Sequence, residues 1–443
     1  MIKYTRFLIT LLLAVIVLQA KSQSTATTSS PYSRFGLGDV SDQLLPQSIG
    51  MGGIATATNR VGGFNTINII NPASYAVINY TTIDAGLYGN FNTLSKTGFA
   101  DQKNSNFRFS HILFAVPVSK RSALSFGLLP YSELGYNYRQ TSVRNGSAGT
   151  AGSVDTTTNY LYSGDGGLSK AYIGYGFGIG KHLLVGANIS YIFGSLKQDQ
   201  STELPDLYGT LNSRIEQNNH IGGLNYDYGV QYSFDFSNSR HLILGYSGSA
   251  GTKLNTQYSY IVSQYFRDVN GNEDVPTDTL VNNQSPNAKL QLPQINHFGI
   301  SFQKEGSFLI GADFTTGKWS DLSIAGVNQG LQDSKMFNLG GQITPNVNSL
   351  SNNLALWDYR LGILYENTYL KVSNTNIKRY AATFGFGIPL PHDRASSAFY
   401  KINFSAEIGK RGTLENSLIK ENYMNFHLGF TLNDKWFQRY KFD

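Results

Sequence analysis

Seven histidines, at positions 111, 182, 220, 241, 297, 392 and 427, are the side chains best suited to metal binding or proton transfer near neutral pH. None has a second histidine four residues on, and the chain has no cysteine. Neither a helical two-histidine zinc motif nor a thiolate site is therefore spelled out. The run Gly174-x-Gly176-x-Gly178-x-Gly180-Lys181 looks at first like a phosphate cradle. Its glycines fall at every second residue, and His182 follows the lysine where a serine or threonine would hold magnesium, so that reading fails. Serines, histidines and acids are scattered without a nucleophile-elbow pattern. The expectation is a protein with no catalytic residues, no cofactor and no metal.

The charged residues that do follow a pattern sit at alternate positions of otherwise apolar runs. Lys170, Asp227, Asp313, Asp358, Arg360, Lys401 and Glu407 would share one strand face, where they pair across a wall or with a buried segment. The functional alternative is that some of them line a solute path. His427 falls in the same phase of the last strand and is read as a hydrogen-bonding residue of that face.

The elements that must position these residues are β-strands. From Leu224 to Phe236 the even positions are Leu, Tyr, Tyr, Val, Tyr, Phe and Phe, and the odd ones are Asn, Asp, Gly, Gln, Ser and Asp. One face is apolar and aromatic, the other polar, which is the period of a strand. The same split recurs at 170–179, 185–193, 357–366, 400–408 and 423–432. Gly180-Lys181 fits a tight hairpin between the first two of these. A soluble sandwich would bury the apolar face in an interdigitated core and leave the polar face as charged, solvated surface. Here the polar face is rich in glycine and sparsely charged, and tyrosine and phenylalanine gather near strand ends. That pattern suits lipid outside and a polar lumen inside.

Composition agrees. Glycine (46), tyrosine (28) and phenylalanine (27) are abundant, and charged residues make up only 14%. A basic stretch with Lys3 and Arg6, an apolar run from Phe7 to Leu18 and the exit Ala20-Lys21-Ser22 read as a signal peptide over 1–22, with the mature chain starting at Gln23. Removal of Lys3, Arg6 and Lys21 lowers the formal net charge from +6 to +3, too little to argue for nucleic acid. No later apolar stretch approaches the roughly 18 residues of a membrane helix.

Strand candidates centred near residues 83, 107, 122, 168, 182, 221, 240, 257, 290, 308, 355, 379, 397 and 421 predict an all-β, transmembrane antiparallel barrel of about fourteen strands over 81–443. Short turns at Asn238-Ser239, Lys304-Glu305-Gly306 and Pro389 to Arg394 are assigned to the periplasm, and longer connections near 138–166, 195–219, 264–288 and 319–352 to the outside. The closing segment, Tyr423 to Leu432, is read as the strand that seals the wall, with Trp436-Phe437 at the periplasmic interface. Residues 23–80 alternate poorly and carry glycine clusters at Ser48-Ile49-Gly50-Met51-Gly52-Gly53 and Gly62-Gly63. With the turn-forming Asn71-Pro72-Ala73 step, they are expected to form a compact plug in the lumen. The alternate glycines at 174–178 would then thin one wall face to admit it.

The Ser48 to Gly53 turn, the Asn71-Pro72-Ala73 step, Asp313 followed by Trp319, and the Tyr359-Arg360-Leu361-Gly362 strand together resemble the FadL-like outer-membrane proteins. Tyr32 to Asp39 and Asn433 to Phe437 resemble the PorV-like Bacteroidetes branch of that family. The resemblance implies a barrel with an N-terminal plug, located in the outer membrane among lipid and lipopolysaccharide. It also implies one of two roles: passage of hydrophobic small molecules such as fatty acids, or service as a subunit of a secretion or assembly machine. Fatty-acid capture calls for apolar outer loops, and the polar segments 197–220 and 267–289 favour the machine subunit.

Overall fold

A computed structural model describes residues 30–436 except 60–64, 145–155, 208, 238, 269–271, 275–277 and 392–397. The signal-peptide segment, Gly62-Gly63, His392 and Phe437 lie outside the described residues. The wall is one antiparallel sheet closed on itself. Its fourteen strands are β1 (Thr81–Ser95), β2 (Gln102–Ser119), β3 (Ser122–Arg144), β4 (Thr156–Ile179), β5 (Leu183–Glu203), β6 (Asn212–Phe236) and β7 (Arg240–Ser249 with Lys253–Tyr265). They continue with β8 (Asp278–Gln291 with Ile295–Lys304), β9 (Phe308–Gly317), β10 (Ser334–Ile343), β11 (Asp358–Val372), β12 (Thr375–Pro389), β13 (Phe399–Gly412) and β14 (Lys420–Asp434). β14 pairs with β1 from Lys420↔Ser95 to Asp434↔Thr81, so the wall has no open seam there. No helix is long and apolar enough to cross a membrane. A closed barrel needs none, because every strand finds backbone partners on both sides.

Alternation sets the faces. Leu224, Tyr226, Val230, Tyr232, Phe234 and Phe236 are exposed on the outside of β6, and Asn225, Asp227 and Gln231 between them are buried. On β11, Leu361 is 71% exposed while Arg360 is 5%. Apolar atoms thus face out and polar atoms in, the inverse of a soluble core. Both ends of the wall sequence and the turns at 119–122, 179–183, 236–240 and 304–308 lie at one end, the periplasmic one.

Three sequence expectations are revised. Segment 319–352 is not one outer loop: it contains β10, so residues 344–357 connect strands at the periplasmic end. The positions near 240 and 257 belong to a single strand, β7, interrupted at Ala250–Thr252. Much of the supposed loops at 138–166, 195–219 and 264–288 is strand, with β6 alone running for 25 residues. At about 3.3 Å per residue β6 is far longer than the roughly 9–11 residues that cross a bilayer, so its outer half stands in water.

One seam is incomplete. β2 and β3 pair only from Ser119↔Ser122 to Ile112↔Leu128. Beyond that, β2 stays with β1 while β3 continues on β4, and the two edges separate. The freed stretch of β3 is buried through Leu134 and Tyr136, and its inner edge is taken up by the two-residue strand Asp39–Val40, paired to Glu133 and Ser132.

Candidate functional site

The described residues of 30–80 precede β1 and pack against the inward face of the wall. Proline and glycine explain their compact, irregular path. Pro31, Pro46 and Pro72 each start a short helical turn, with φ already set for it, and Gly52 and Gly53 turn the chain at φ of 72° and 86°. Asn71 caps the Pro72–Val77 turn, accepting from Ala73 N at 3.2 Å.

The Asn71-Pro72-Ala73 step meets the wall where the wall has no side chains. A Cβ on Gly176 or Gly186 would overlap the Pro72 carbonyl, and one on Gly229 would strike the Asn71 side chain. Of the alternate glycines of β4, Gly176 admits the plug backbone, Gly174 leaves room for the Asn188 and Tyr75 side chains, and Gly178 faces Arg121. Asn71 Nδ2 donates to Thr56 O at 2.7 Å and to the wall carbonyls of Val230 and Tyr246 at 3.3 and 3.4 Å. The other glycine cluster repeats the arrangement: Met51 and Gly52 lie on Gly340 and Gly362, and Gly52 N donates to Thr383 Oγ1 at 2.8 Å.

Asp313 is buried, and its Oδ2 accepts from the backbone N–H groups of Ala55 and Thr56 at 2.8 and 2.7 Å. Gln231 donates to Thr56 O at 3.0 Å, and Ser301 to Ala57 O at 2.7 Å. Segment 55–59 has no regular structure of its own, so these wall side chains satisfy backbone groups that burial would otherwise leave unmade.

Lys170 and Asp227 form a pair at 2.7 Å, with Lys170 also donating to Gln43 at 2.9 Å. Asp358, Arg360 and Lys401 form one buried network. Arg360 Nη2 and Lys401 Nζ reach Asp358 Oδ2 at 2.8 and 2.6 Å, Thr344 donates to Oδ1 at 2.7 Å, and Arg360 also reaches Gln342 and Asn403. Glu407 stands apart and accepts from Tyr423 at 2.6 Å. His427 packs against Tyr88 with the rings tilted by 53° and their centroids 4.8 Å apart. Among the described residues no group of three or more metal-ligating side chains is placed to hold an ion.

Several lumen charges escaped the sequence reading. Arg411 binds Asp39 at 2.8 Å and Glu421 at 2.7 Å, Arg379 binds Asp42 at 2.9 Å and Glu366 at 2.8 Å, and Arg108 pairs with Glu133 across the β2–β3 separation. Extending the alternation of β12 and β13 past their apolar cores would have placed Arg379 and Arg411 inward. A cavity of about 300 Å³ beside the plug is bounded by seven carboxylates and four cations of these sets, together with Tyr131, His297 and Trp319. Apolar side chains, Leu44, Ile49, Ile69, Met336 and Leu364 among them, complete its lining, so charged and apolar surface share the space.

Similar solved structures share the architecture. The toluene transporter TbuX of Ralstonia pickettii is 15% identical with a TM-score of 0.56, covering 88% of this chain and 98% of that one. The Pseudomonas putida toluene transporter TodX is 13% identical with a TM-score of 0.56 and the same coverage. A Pseudomonas aeruginosa FadL homologue is 12% identical with a TM-score of 0.54, covering 91% and 99%. The fold is thus that of FadL-type barrels, and the outer membrane is its location. No protein of curated function matches. The family model described as BamG matches residues 1–443, the full length, and on that match this chain belongs to the BamG family.

Proposed function

We propose that this chain is a non-catalytic accessory subunit of an outer-membrane machine that assembles barrels, acting through its surfaces and not through its lumen. In this reading residues 23–80 are a fixed plug and 81–443 the barrel that carries it. One observation supports it above all. The lumen is occupied by a segment hydrogen-bonded to β6, β7, β8, β9, β10 and β12, and paired charges stand around the cavity beside it. Lys170 and Asp313 then tie the plug to the wall, while Asp227, Asp358, Arg360, Lys401 and Glu407 hold the wall's inner face together. The BamG family name and the PorV-like ends point the same way. A tagged chain isolated from mildly solubilised membranes is expected to bring further outer-membrane subunits with it; recovery of the barrel alone would overturn the proposal.

A second reading has its own support. Where β3 leaves β2 beyond Leu128, the wall separates beside a cavity reaching Arg108, Ser110, Tyr131 and Glu133. Such an opening suits a small hydrophobic compound, such as a fatty acid or the aromatic hydrocarbons named for TbuX and TodX, leaving sideways into lipid. Faster uptake of a labelled aromatic by cells carrying Arg108→Ala, with loss in the deletion strain, would favour the channel. Equal uptake by parent and deletion strains would dismiss it.

A further inference from the structure

The outer face of β7 to β13 departs from an ordinary barrel surface in two ways. The first is an aromatic row running across the strands. Tyr246, Phe298, Phe314, Phe337, Tyr365 and Tyr380 are direct register partners on six successive strands. Below the row, toward the periplasm, the surface is concave. A groove of about 1120 Å³ has Ala312 and Ala382 among its lining residues, with Ile300, Leu339, Ile363 and Ile408 around them. Small residues between large ones leave room that a smooth wall of leucine and phenylalanine would fill.

The second is a set of cations at the extracellular edge of the same patch. Lys335 and Lys378 face outward at one level, joined through Asn367 between them. Lys410 stands opposite Tyr380, its ammonium 5.4 Å from the ring centroid. All three are exposed, and none forms an ion pair among the described residues. Two interstrand spacings separate Lys335 from Lys378, about 10 Å, and Lys410 is a diagonal neighbour of Lys378. Lys335 and Lys378 stand one step above the aromatic row and Lys410 level with it, where apolar surface gives way to headgroups. The apolar stretch beneath them on β11, Trp357 to Tyr365, is nine residues, about the length that crosses the hydrocarbon.

We propose that this patch is a binding site for a phosphorylated, multiply acylated glycolipid of the outer leaflet. The phosphates sit among Lys335, Lys378 and Lys410, and an acyl chain lies in the groove below. Charge complementarity selects this occupant. Three unpaired ammonium groups at headgroup level call for a ligand with more than one negative charge, and the groove directly beneath calls for hydrocarbon attached to it. A second protein barrel would instead present an apolar wall and leave the lysines without partners.

The test uses the full-length mature protein reconstituted in phosphatidylcholine nanodiscs with lipid A, dephosphorylated lipid A or phosphatidylglycerol, and read by native mass spectrometry. Lipid A is expected to stay bound to the parent, with retention falling tenfold or more in K335S/K378S/K410S. A control with Lys103, Lys253 and Lys289 changed to serine is expected to keep it. Dephosphorylated lipid A and phosphatidylglycerol are expected to be lost from all three proteins. Folding is verified by heat-modifiable migration. If the triple variant is not recovered folded, the single variants replace it, each expected to lose about threefold. Equal retention by both triple variants, or equal retention of the dephosphorylated lipid, overturns the proposal. So does a protein partner that leaves native membranes with the parent and is lost in K335S/K378S/K410S.

Discussion

Asp313 shows what a single inward carboxylate does in this fold. It was legible as an inward charge, but nothing in the sequence told that its partners are two backbone amides, Ala55 and Thr56. Hydrogen bonds to a charged acceptor in a buried site are worth about 1.5–3 kcal/mol each, and their loss leaves two N–H groups without partners. Asp313→Ala is expected to loosen segment 55–59 before the barrel opens, so protease cleavage within 50–60 should rise while heat-modifiable migration is kept; unchanged cleavage would contradict this. Gly229 carries a related lesson. Read from the sequence, a lysine there faces the lumen and escapes lipid, whereas Tyr228→Lys faces the bilayer at about 2–4 kcal/mol near mid-membrane. The structure puts Pro72 Cδ 3.0 Å from where a Gly229 Cβ would lie, so the lumen side is occupied too. Both variants are expected to lower folding yield in lipid vesicles, Tyr228→Lys through the hydrocarbon and Gly229→Lys by displacing Asn71. Only the second should be relieved by deleting residues 23–80.

At the scale of elements, alternation was readable wherever lipid imposes it. β4, β5, β6, β11, β13 and β14 announce themselves because a slip of one residue would put polar atoms in hydrocarbon. Outside the bilayer both faces of a strand meet water and the pattern lapses, which is why 195–203 and 212–219 read as loop although they are strand. β10 was hidden for another reason: Gly341 stands outward where an apolar residue would continue Phe337 and Leu339. Its omission was offset by counting the two halves of β7 separately, so the total of fourteen came out right through two compensating slips. The long connection between β7 and β8 is tied back to the wall by Glu273, which accepts from Arg214 Nη2 at 2.6 Å. That hydrogen bond holds the Glu273 carboxyl below its usual range. A depressed acid stabilises the folded arrangement above its unfolded value, about 4.3, and the contribution is lost as pH falls through the lower folded value. Hydrogen exchange at 272–274 is therefore expected to be slow at pH 7 relative to its intrinsic rate and to lose that protection as pH falls below the unfolded value. Arg214→Ala should remove the protection at every pH.

For the whole molecule, closure is the stabilising principle. Each strand has two neighbours over most of its length, and β14 on β1 completes the circuit over 15 register pairs. Removing Lys420–Asp434 exposes the edges of β1 and β13 together, and in hydrocarbon an unpaired edge is not tolerated. The truncated chain is expected to fail heat-modifiable migration entirely and to aggregate, with no partly stable form. A stable thirteen-strand species on semi-native gels would disprove the point. The overall architecture was legible because the bilayer writes one rule on every strand. The contents of the lumen were not, because alternation tells only that a polar side chain points inward, and its partner is chosen by proximity across hundreds of residues.

That distance also dictates an order of events. Gly52 binds Thr383, 331 residues further along the chain, and Ser30 binds Glu421, 391 residues further. The segment made first must wait for partners made last, at a loop-closure cost that grows with separation. Once β14 has zipped onto β1 the circuit is closed except for the β2–β3 separation, and a segment left outside would have to be threaded in from one end past the charged pairs. The filling must therefore be in position while the seam is still open, so the last step of folding is the sealing of a vessel already packed.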